Sequence, residues 1–401
     1  MNKIKQAVIL AGGYGTRLRP FTDTNPKPMY LFEGKPFLFY LLEQVKSFGI
    51  NEVILLLGYL PEKIQSYFGD GSSLGLKITY VVTPVEYETS LRLKAALSSM
   101  ADLFLLMYCD NYCPINFKAL YDDYIKNNAL IQFTAYLNKD GYTKSNLKIN
   151  SNGLVVAYDK KRTTQGLQGV DIGYAIVNKQ AVELASMKNE NFEQIVYPLL
   201  VKQKKLFATT TEHRYYSIGT WGRIELTKKF FSPQKYIFLD RDGTINKRPP
   251  QACYIEKPEN FIWLDGAREA IKLLKENEYT IIVVSNQPGI ARGNMTVSDL
   301  SAVHEKMQSD LRAFGVLGGI DQIYYCPHNW NEGCDCRKPK PGMFFQAQKD
   351  NSLDLTKCYL IGDDERDITA GKTAGCKCVQ ISESRTLLDA VKEIIKGEQT
   401  K

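Results

Sequence analysis

The 401-residue chain is poor in histidine and tryptophan, with three of each. No stretch approaches the roughly 18 consecutive apolar residues that a membrane-spanning helix needs, so a helical membrane protein is excluded. The start, Met1-Asn2-Lys3-Ile4-Lys5-Gln6, has no signal-peptide apolar region and runs directly into a strand-like segment, so a cytoplasmic location is expected. Long basic runs are absent as well. The net charge of +7, from 51 Lys and Arg against 44 Asp and Glu, is a mild excess that small anionic substrates explain as well as nucleic acid would. Neither a nucleic acid nor a membrane is expected as a partner. There is no internal repeat and no low-complexity tract, and a composition of 44% hydrophobic and 24% charged residues excludes disordered and collagen-like chains. Nine cysteines are an odd count. Three of them crowd into eleven residues beside a histidine, in a chain without an export signal, which favours a metal over disulfides.

A chain of this length outgrows a single hydrophobic core, so two domains are expected. Short apolar runs rich in β-branched residues (Ala7 to Leu10, Val53 to Leu57, Ile78 to Val82, Leu103 to Met107) alternate with helical patterns. After Phe230-Phe231-Ser232-Pro233-Gln234-Lys235 the alternation begins afresh with Tyr236 to Leu239, Thr280 to Val284, Ile323 to Tyr325 and Cys358 to Ile361. Between two of these, Ala267, Ala270, Ile271 and Leu274 recur at the spacing of one helix face. The reading is α/β, with two doubly wound, largely parallel sheet domains over residues 1–232 and 235–395.

The strand Ala7-Val8-Ile9-Leu10 runs into Ala11-Gly12-Gly13-Tyr14-Gly15-Thr16-Arg17-Leu18-Arg19-Pro20 and then Pro26-Lys27-Pro28. Glycines after a parallel strand let main-chain N–H groups line up around an anion, and Arg17 and Lys27 add fixed positive charge, so this is read as a phosphate cradle. It fits neither the dinucleotide fingerprint nor the P-loop. The stretch closely resembles the signature of sugar-1-phosphate nucleotidyltransferases, whose Rossmann-like fold joins a sugar 1-phosphate to a nucleoside triphosphate with release of pyrophosphate. The resemblance extends over about the first 230 residues. It implies that Gly12, Gly13, Gly15, Thr16 and Arg17 hold the triphosphate, that Lys27 neutralises the reacting phosphates, and that Asp110, at the end of an apolar strand, binds Mg²⁺. Asp171 either faces the sugar or is a core-strand residue with a surface carboxylate. Two departures stand out. A glycine-containing loop of the Pro-Leu-Gly-Thr type is replaced by Glu86-Tyr87-Glu88-Thr89-Ser90-Leu91-Arg92, and Ser217, before Ile218-Gly219-Thr220, stands where the family has a metal-binding aspartate.

In the second half, Tyr236-Ile237-Phe238-Leu239 ends in Asp240-Arg241-Asp242-Gly243-Thr244. Residues two apart in an extended chain point the same way, so Asp240 and Asp242 converge on one ligand, one able to attack and the other to handle a proton. Val284-Ser285-Asn286-Gln287, Arg337-Lys338-Pro339 and Ile361-Gly362-Asp363-Asp364 complete four polar clusters expected to meet at one sheet edge. Cys326, His328, Cys334 and Cys336 form a closed set suited to structural Zn²⁺ on a loop over residues 326–336, directly before Arg337-Lys338. The other cysteines, Cys109, Cys113, Cys253, Cys358, Cys376 and Cys378, are expected to be buried small hydrophobes.

This arrangement resembles the haloacid dehalogenase (HAD) superfamily of phosphatases over about residues 235 to 390. Its zinc loop and the run from Ser285 to Gly293 resemble the heptose 1,7-bisphosphate phosphatases, with the histidinol-phosphate phosphatases as the alternative. The resemblance implies an aspartyl-phosphate on Asp240, acid–base work by Asp242, and phosphoryl binding by Ser285, Asn286 and Lys338. It also implies Mg²⁺ on Asp240, Asp363 and the main chain of Asp242, and a grip by Arg337 on the phosphate that stays behind. Asp364 departs from the lysine common at its position in heptose phosphatases, and Glu365 and Asp367 are expected on a solvated helix start, not as ligands.

Together the two halves imply a bifunctional enzyme of nucleotide-activated heptose synthesis. It would take heptose bisphosphate and heptose 1-phosphate as substrates and GTP as the donor, since the heptose transferases of this fold, which use the α-anomer, are guanylyltransferases. The competing expectation is a phosphatase whose first half is only a sugar-phosphate-binding or homo-oligomer-forming module.

Overall fold

The computed structural model describes residues 4–399. Its contacts divide the chain into two compact units, Met1–Ser232 and Pro233–Lys401.

The first unit is built on a seven-stranded sheet: β1 (Gln6–Ala11), β2 (Glu52–Leu57), β3 (Lys77–Val82), β4 (Leu103–Tyr108), β5 (Ile131–Tyr136), β6 (Val170–Asn178) and β7 (Leu206–Thr211). They lie in the order β7-β5-β6-β4-β1-β2-β3. Only β6 runs antiparallel to its neighbours. The side-chain period of two explains why both faces need cover: Ala7, Ile9 and Ala11 enter one apolar cluster, and Val8 and Leu10 enter another on the opposite face.

The second unit has a fully parallel five-stranded sheet of β8 (Tyr236–Leu239), β9 (Thr280–Asn286), β10 (Gln322–Cys326), β11 (Tyr359–Gly362) and β12 (Lys377–Gln380), in the order β10-β9-β8-β11-β12. Here too Ile237 and Leu239 pack into one core and Phe238 into the other. The helix Ala267–Glu276 buries Ala267, Ala270, Ile271 and Leu274, the face its periodicity marks. Because all five strands point the same way, the residues that end β8, β9, β10 and β11 gather along one edge. Among the described residues no helix is long and apolar enough to cross a membrane.

Candidate active sites

In the second unit, Asp240 follows β8 and is 6% exposed. The ammonium of Lys338, 2% exposed, donates to Asp240 Oδ1 at 2.6 Å and to the main-chain oxygen of Val284 at 2.7 Å, and pairs with Asp367 Oδ1 at 2.7 Å. Burial pushes Asp240 upward to about 7 despite Lys338, because Asp367 and Asp242 add repulsion. Burial pulls Lys338 downward, but the two carboxylates outweigh it and hold its pKa above the ordinary lysine value. Single carboxylate oxygens of Asp240, Asp363 and Asp367 all lie within 4.8 Å of one another. Three acidic groups facing Lys338 and Arg248, which reaches Asp363 at 2.8 Å, make an oxygen-rich cluster whose chemistry fits a hard divalent cation such as Mg²⁺.

Asp367 is therefore not on a solvated helix start. It is 3% exposed, and its second oxygen accepts from the main-chain N–H of Asp364 in a capping box that opens the helix Glu365–Ala374. Asp363 directly follows β11 and Asp367 lies in the first turn of the helix that comes next, so the strand–cap–helix junction brings the two together. Glu365 is exposed as expected. Asp364 caps that helix and pairs with Arg366 and Arg248, so this departure from the lysine pattern has a structural occupation.

Asp242 is held by a cage that sequence reasoning missed. The fully buried Arg241 donates to both of its oxygens at 3.0 and 2.8 Å, Asn246 donates to Oδ1 at 3.0 Å, and Gln287 donates to Oδ2 at 2.9 Å. Burial alone pushes the Asp242 carboxyl up, yet Arg241 and these hydrogen bonds overcome it and set it below the usual carboxylate range. Gln287 also donates to the Ser285 hydroxyl at 2.7 Å. Asn286 is engaged in a reciprocal pair with the Lys338 main chain, donating to its oxygen and accepting from its N–H, both at 3.0 Å. Arg337 donates to the His328 main-chain oxygen at 3.3 Å and keeps its remaining donors.

Gly243 turns with φ +105°, and a Cβ there would stand 2.1 Å from Asp363 Oδ2. Gly243→Ala must therefore displace the acidic cluster, and phosphate release is expected to fall by about 10²-fold. A steady-state assay across Mg²⁺ concentrations would read this as loss of turnover with weakened Mg²⁺ dependence.

The sulfur and imidazole donors also converge. Cys336 Sγ is 3.2 Å from both Cys326 Sγ and His328 Nδ1, and Cys326 Sγ is 3.7 Å from Cys334 Sγ. All four ligand atoms lie within 4.8 Å of one another, the size of a tetrahedral soft-metal site. Of the remaining cysteines, Cys109, Cys113, Cys358 and Cys376 are buried; Cys253 is exposed and Cys378 half-buried, against expectation. Cys253 lies in the irregular segment between β8 and the helix Ala267–Glu276, where no sheet face covers it.

In the first unit, a cavity of about 440 Å³ is lined by Gly12, Gly13, Tyr14, Gly15, Lys27, Asp110 and the segment Val85–Thr89. Lys27 Nζ meets Asp110 Oδ2 at 2.7 Å. Burial opposes both charges, but the pairing wins: Lys27 lies above the usual lysine value and Asp110 below the usual carboxylate value. Gly15 has φ +67°, and a Cβ there would stand 3.0 Å from Lys27, so the turn needs glycine for conformation and space. Thr16 and Arg17 lie just beyond the cavity on the short turn Thr16–Leu18, with Arg17 close enough for its charge to lower Asp110.

Asp171 lies on β6, half-buried, accepting from the Gly173 N–H at 2.9 Å and the Tyr158 hydroxyl at 3.4 Å. It does not line the cavity. Ser217 pairs with Asn111 across a short antiparallel ladder, so a hydroxyl residue and not a carboxylate stands opposite the residue after Asp110. Among the described residues no group of three metal-ligating side chains forms there.

The other departure has a structural answer. Arg92, 4% exposed, donates to the main-chain oxygens of Leu57, Gly12, Val85 and Tyr87 and to the Thr83 hydroxyl, at 2.7 to 3.1 Å. It ties the glycine turn to the loop that replaces the glycine-containing segment. A lone arginine in a polar stretch carries no sequence signal of this role, because four of its five acceptors are main-chain oxygens, which every residue possesses.

The nucleotidyl transferase family model matches residues 6–165, and the HAD-hydrolase-like model matches residues 335–398. A D-glycero-β-D-manno-heptose-1,7-bisphosphate 7-phosphatase of Bordetella bronchiseptica is 38% identical over 143 residues, 35% of this chain and 77% of the relative. The enzyme of that name from Escherichia coli K12 is 39% identical over 145 residues, 34% of this chain and 73% of the relative. A solved structure assigned as a glucose-1-phosphate thymidylyltransferase of Bacillus anthracis superposes with a TM-score of 0.51 at 15% identity, covering 56% of this chain and 93% of that one, which shows the fold of the first half. The chain is an enzyme that carries a nucleotidyl transferase domain and, through its second half, belongs to the family of the D-glycero-β-D-manno-heptose-1,7-bisphosphate 7-phosphatases.

Proposed function

We propose that the second half removes the 7-phosphate from D-glycero-D-manno-heptose 1,7-bisphosphate, and that the first half joins the resulting heptose 1-phosphate to a nucleotide from GTP, releasing pyrophosphate, in the cytoplasm. The observation that carries the phosphatase reading is the buried Asp240–Lys338–Asp367 triad beside Asp363, in a chain whose relatives are named for this bisphosphate.

Asp240 attacks phosphorus, forming an aspartyl-phosphate as the bond from phosphorus to the sugar oxygen breaks. Asp242 gives its proton to that oxygen, then takes one from the water that cleaves the aspartyl-phosphate and frees phosphate. The cage around Asp242 favours its carboxylate form, the one needed for activating water; the negative charge of a bound phosphate raises its pKa toward the acid form needed first. Lys338 and Ser285 hold the transferring group. Asp240, Asp363 and Asp367, with the main-chain oxygen of Asp242, would hold Mg²⁺, which would supply charge offsetting the repulsion between carboxylate and phosphate.

Cys326, His328, Cys334 and Cys336 would hold Zn²⁺ with no open position, so its part is structural. Stripping the metal with a chelator is expected to lower phosphate release by about 10-fold or more, because the loop that carries Arg337 and Lys338 loses its anchor. With Mg²⁺ resupplied in every assay after the chelator is removed, restoration by added Zn²⁺ and not by further Mg²⁺, together with a metal content of one zinc per chain, would check this.

In the first half, the glycine turn with Lys27 and Arg17 receives the triphosphate, and Asp110 would bind Mg²⁺. GTP as donor rests on the resemblance to guanylyltransferases that use the α-anomer, whereas the curated phosphatase relatives are named for the β-anomer. Ser217 in place of a carboxylate favours a second reading, in which this half only binds sugar phosphate. The test supplies both bisphosphate anomers, then each of four nucleoside triphosphates, and follows phosphate and pyrophosphate in the same tube. Pyrophosphate from GTP supports the proposal; phosphate without pyrophosphate from any of the four leaves the binding-module reading.

A further inference from the structure

The cage around Asp242 has an outer anchor. Arg241 is fully buried, and its guanidinium gives Nε and Nη2 to the Asp242 carboxylate. Nη1, the remaining nitrogen, meets Nε2 of His304 at 3.3 Å. Among the described residues no other side chain accepts from this guanidinium, since Asn246 and Gln287 donate to the carboxylate itself. His304 is one of three histidines in the chain and lies 63 residues beyond Arg241. It sits on the helix Val297–Ala313, which opens with a capping box between Thr296 and Asp299 and buries Leu300, Val303, Met307 and Leu311. Val303, Met307 and Leu311 join the apolar cluster that holds Ile237 and Leu239 of β8. One turn after Leu300 and one turn before Met307, His304 stands at the margin of that buried face, so the packing that seats the helix also sets the imidazole. The ring is half-buried and lines a surface cavity of about 730 Å³, which places it between the buried guanidinium and solvent.

A guanidinium has no lone pair to offer, so Arg241 is the donor and His304 the acceptor, which makes the ring neutral with its proton on Nδ1. Burial and the charge of Arg241 favour that neutral form and hold the imidazole pKa at about 4, against an opposing pull from Asp242. A planar guanidinium held at two nitrogens can still tilt about them, and a third contact removes that freedom. We infer that His304 is a positioning residue for the acid–base step of the phosphatase: it fixes the far corner of the guanidinium that aims the Asp242 carboxylate. This deepens the proposed function and rests on it, in taking Asp242 as the group that moves the proton. Without the acceptor a buried N–H is left unpaired and turns toward the cavity, and the carboxylate bound to the same guanidinium turns with it.

The test measures kcat/KM of the full-length parent, Asp242→Asn, His304→Leu and His304→Gln on heptose 1,7-bisphosphate and on p-nitrophenyl phosphate. The sugar oxygen needs a proton as its bond to phosphorus breaks, whereas p-nitrophenolate leaves without one, and kcat/KM extends only as far as that cleavage. Asp242→Asn is expected to lower kcat/KM for the bisphosphate by about 10²-fold and to change that for p-nitrophenyl phosphate by no more than about 3-fold. His304→Leu should show the same pattern, with a loss of about 10-fold on the bisphosphate. His304→Gln, whose side-chain oxygen reaches the place of Nε2, should recover most of it. Retained cleavage of p-nitrophenyl phosphate reports that the fold stands. A loss in His304→Leu shared equally by the two substrates, or no loss with either, overturns the inference while Asp242→Asn keeps its selective loss. If Asp242→Asn itself spares the bisphosphate, the reading of Asp242 falls and the role of His304 falls with it. Should the parent prefer another alkyl phosphate to the bisphosphate, the substrate reading falls, and the same comparison of that ester with p-nitrophenyl phosphate decides the role of His304.

Discussion

Asp240→Asn is expected to abolish phosphate release, by roughly 10³-fold or more, while pyrophosphate release from supplied heptose 1-phosphate and triphosphate continues at the parent rate. The amide has nearly the shape of the carboxylate, and Asp240 is buried beside Lys338, so the fold keeps its packing and loses only the nucleophile and one charge. The contrast between the two products separates a chemical effect from unfolding. If the variant still hydrolyses the bisphosphate at parent speed, another residue attacks phosphorus.

Lys338→Met should be as damaging to activity and, unlike Asp240→Asn, strongly destabilising. Its ammonium is the shared partner of Asp240 and Asp367, both buried, and methionine leaves two desolvated carboxylates facing each other. Removing one partner of such a network costs about 3–5 kcal/mol. Denaturant unfolding of the second half would show this as a lower midpoint. The double variant Lys338→Met/Asp240→Asn should regain part of that loss, because one of the stranded charges is gone. Recovery of stability without recovery of turnover is the expected signature.

Much of this architecture is legible in the sequence because it follows from short-range periodicity. Strands occur at each apolar run from Ala7 to Leu10 through Cys358 to Ile361, and the helix face marked by Ala267, Ala270, Ile271 and Leu274 is buried. Local spacing likewise brings together the four donors from Cys326 to Cys336. What escapes such reading is the burial and pairing of charge that only the folded chain creates. Asp367 reads as a helix-start carboxylate until Lys338 is folded against it, and Arg241 reads as a spacer between two aspartates until it is found fully buried around one of them. Arg92 is the extreme case, since its partners are mostly carbonyl oxygens, which every residue possesses.

That last arrangement bears on how donor choice can drift. In this segment Arg92 grips the main-chain oxygens of Val85 and Tyr87, and only Thr83 through its side chain, so this anchor does not depend on the side chains at 85 to 87. If the cavity takes a nucleotide as proposed, substitutions at Glu86 and Tyr87, which line it, would alter its chemistry while the Arg92 anchor stands, so selectivity and integrity of the cleft would be free to evolve separately.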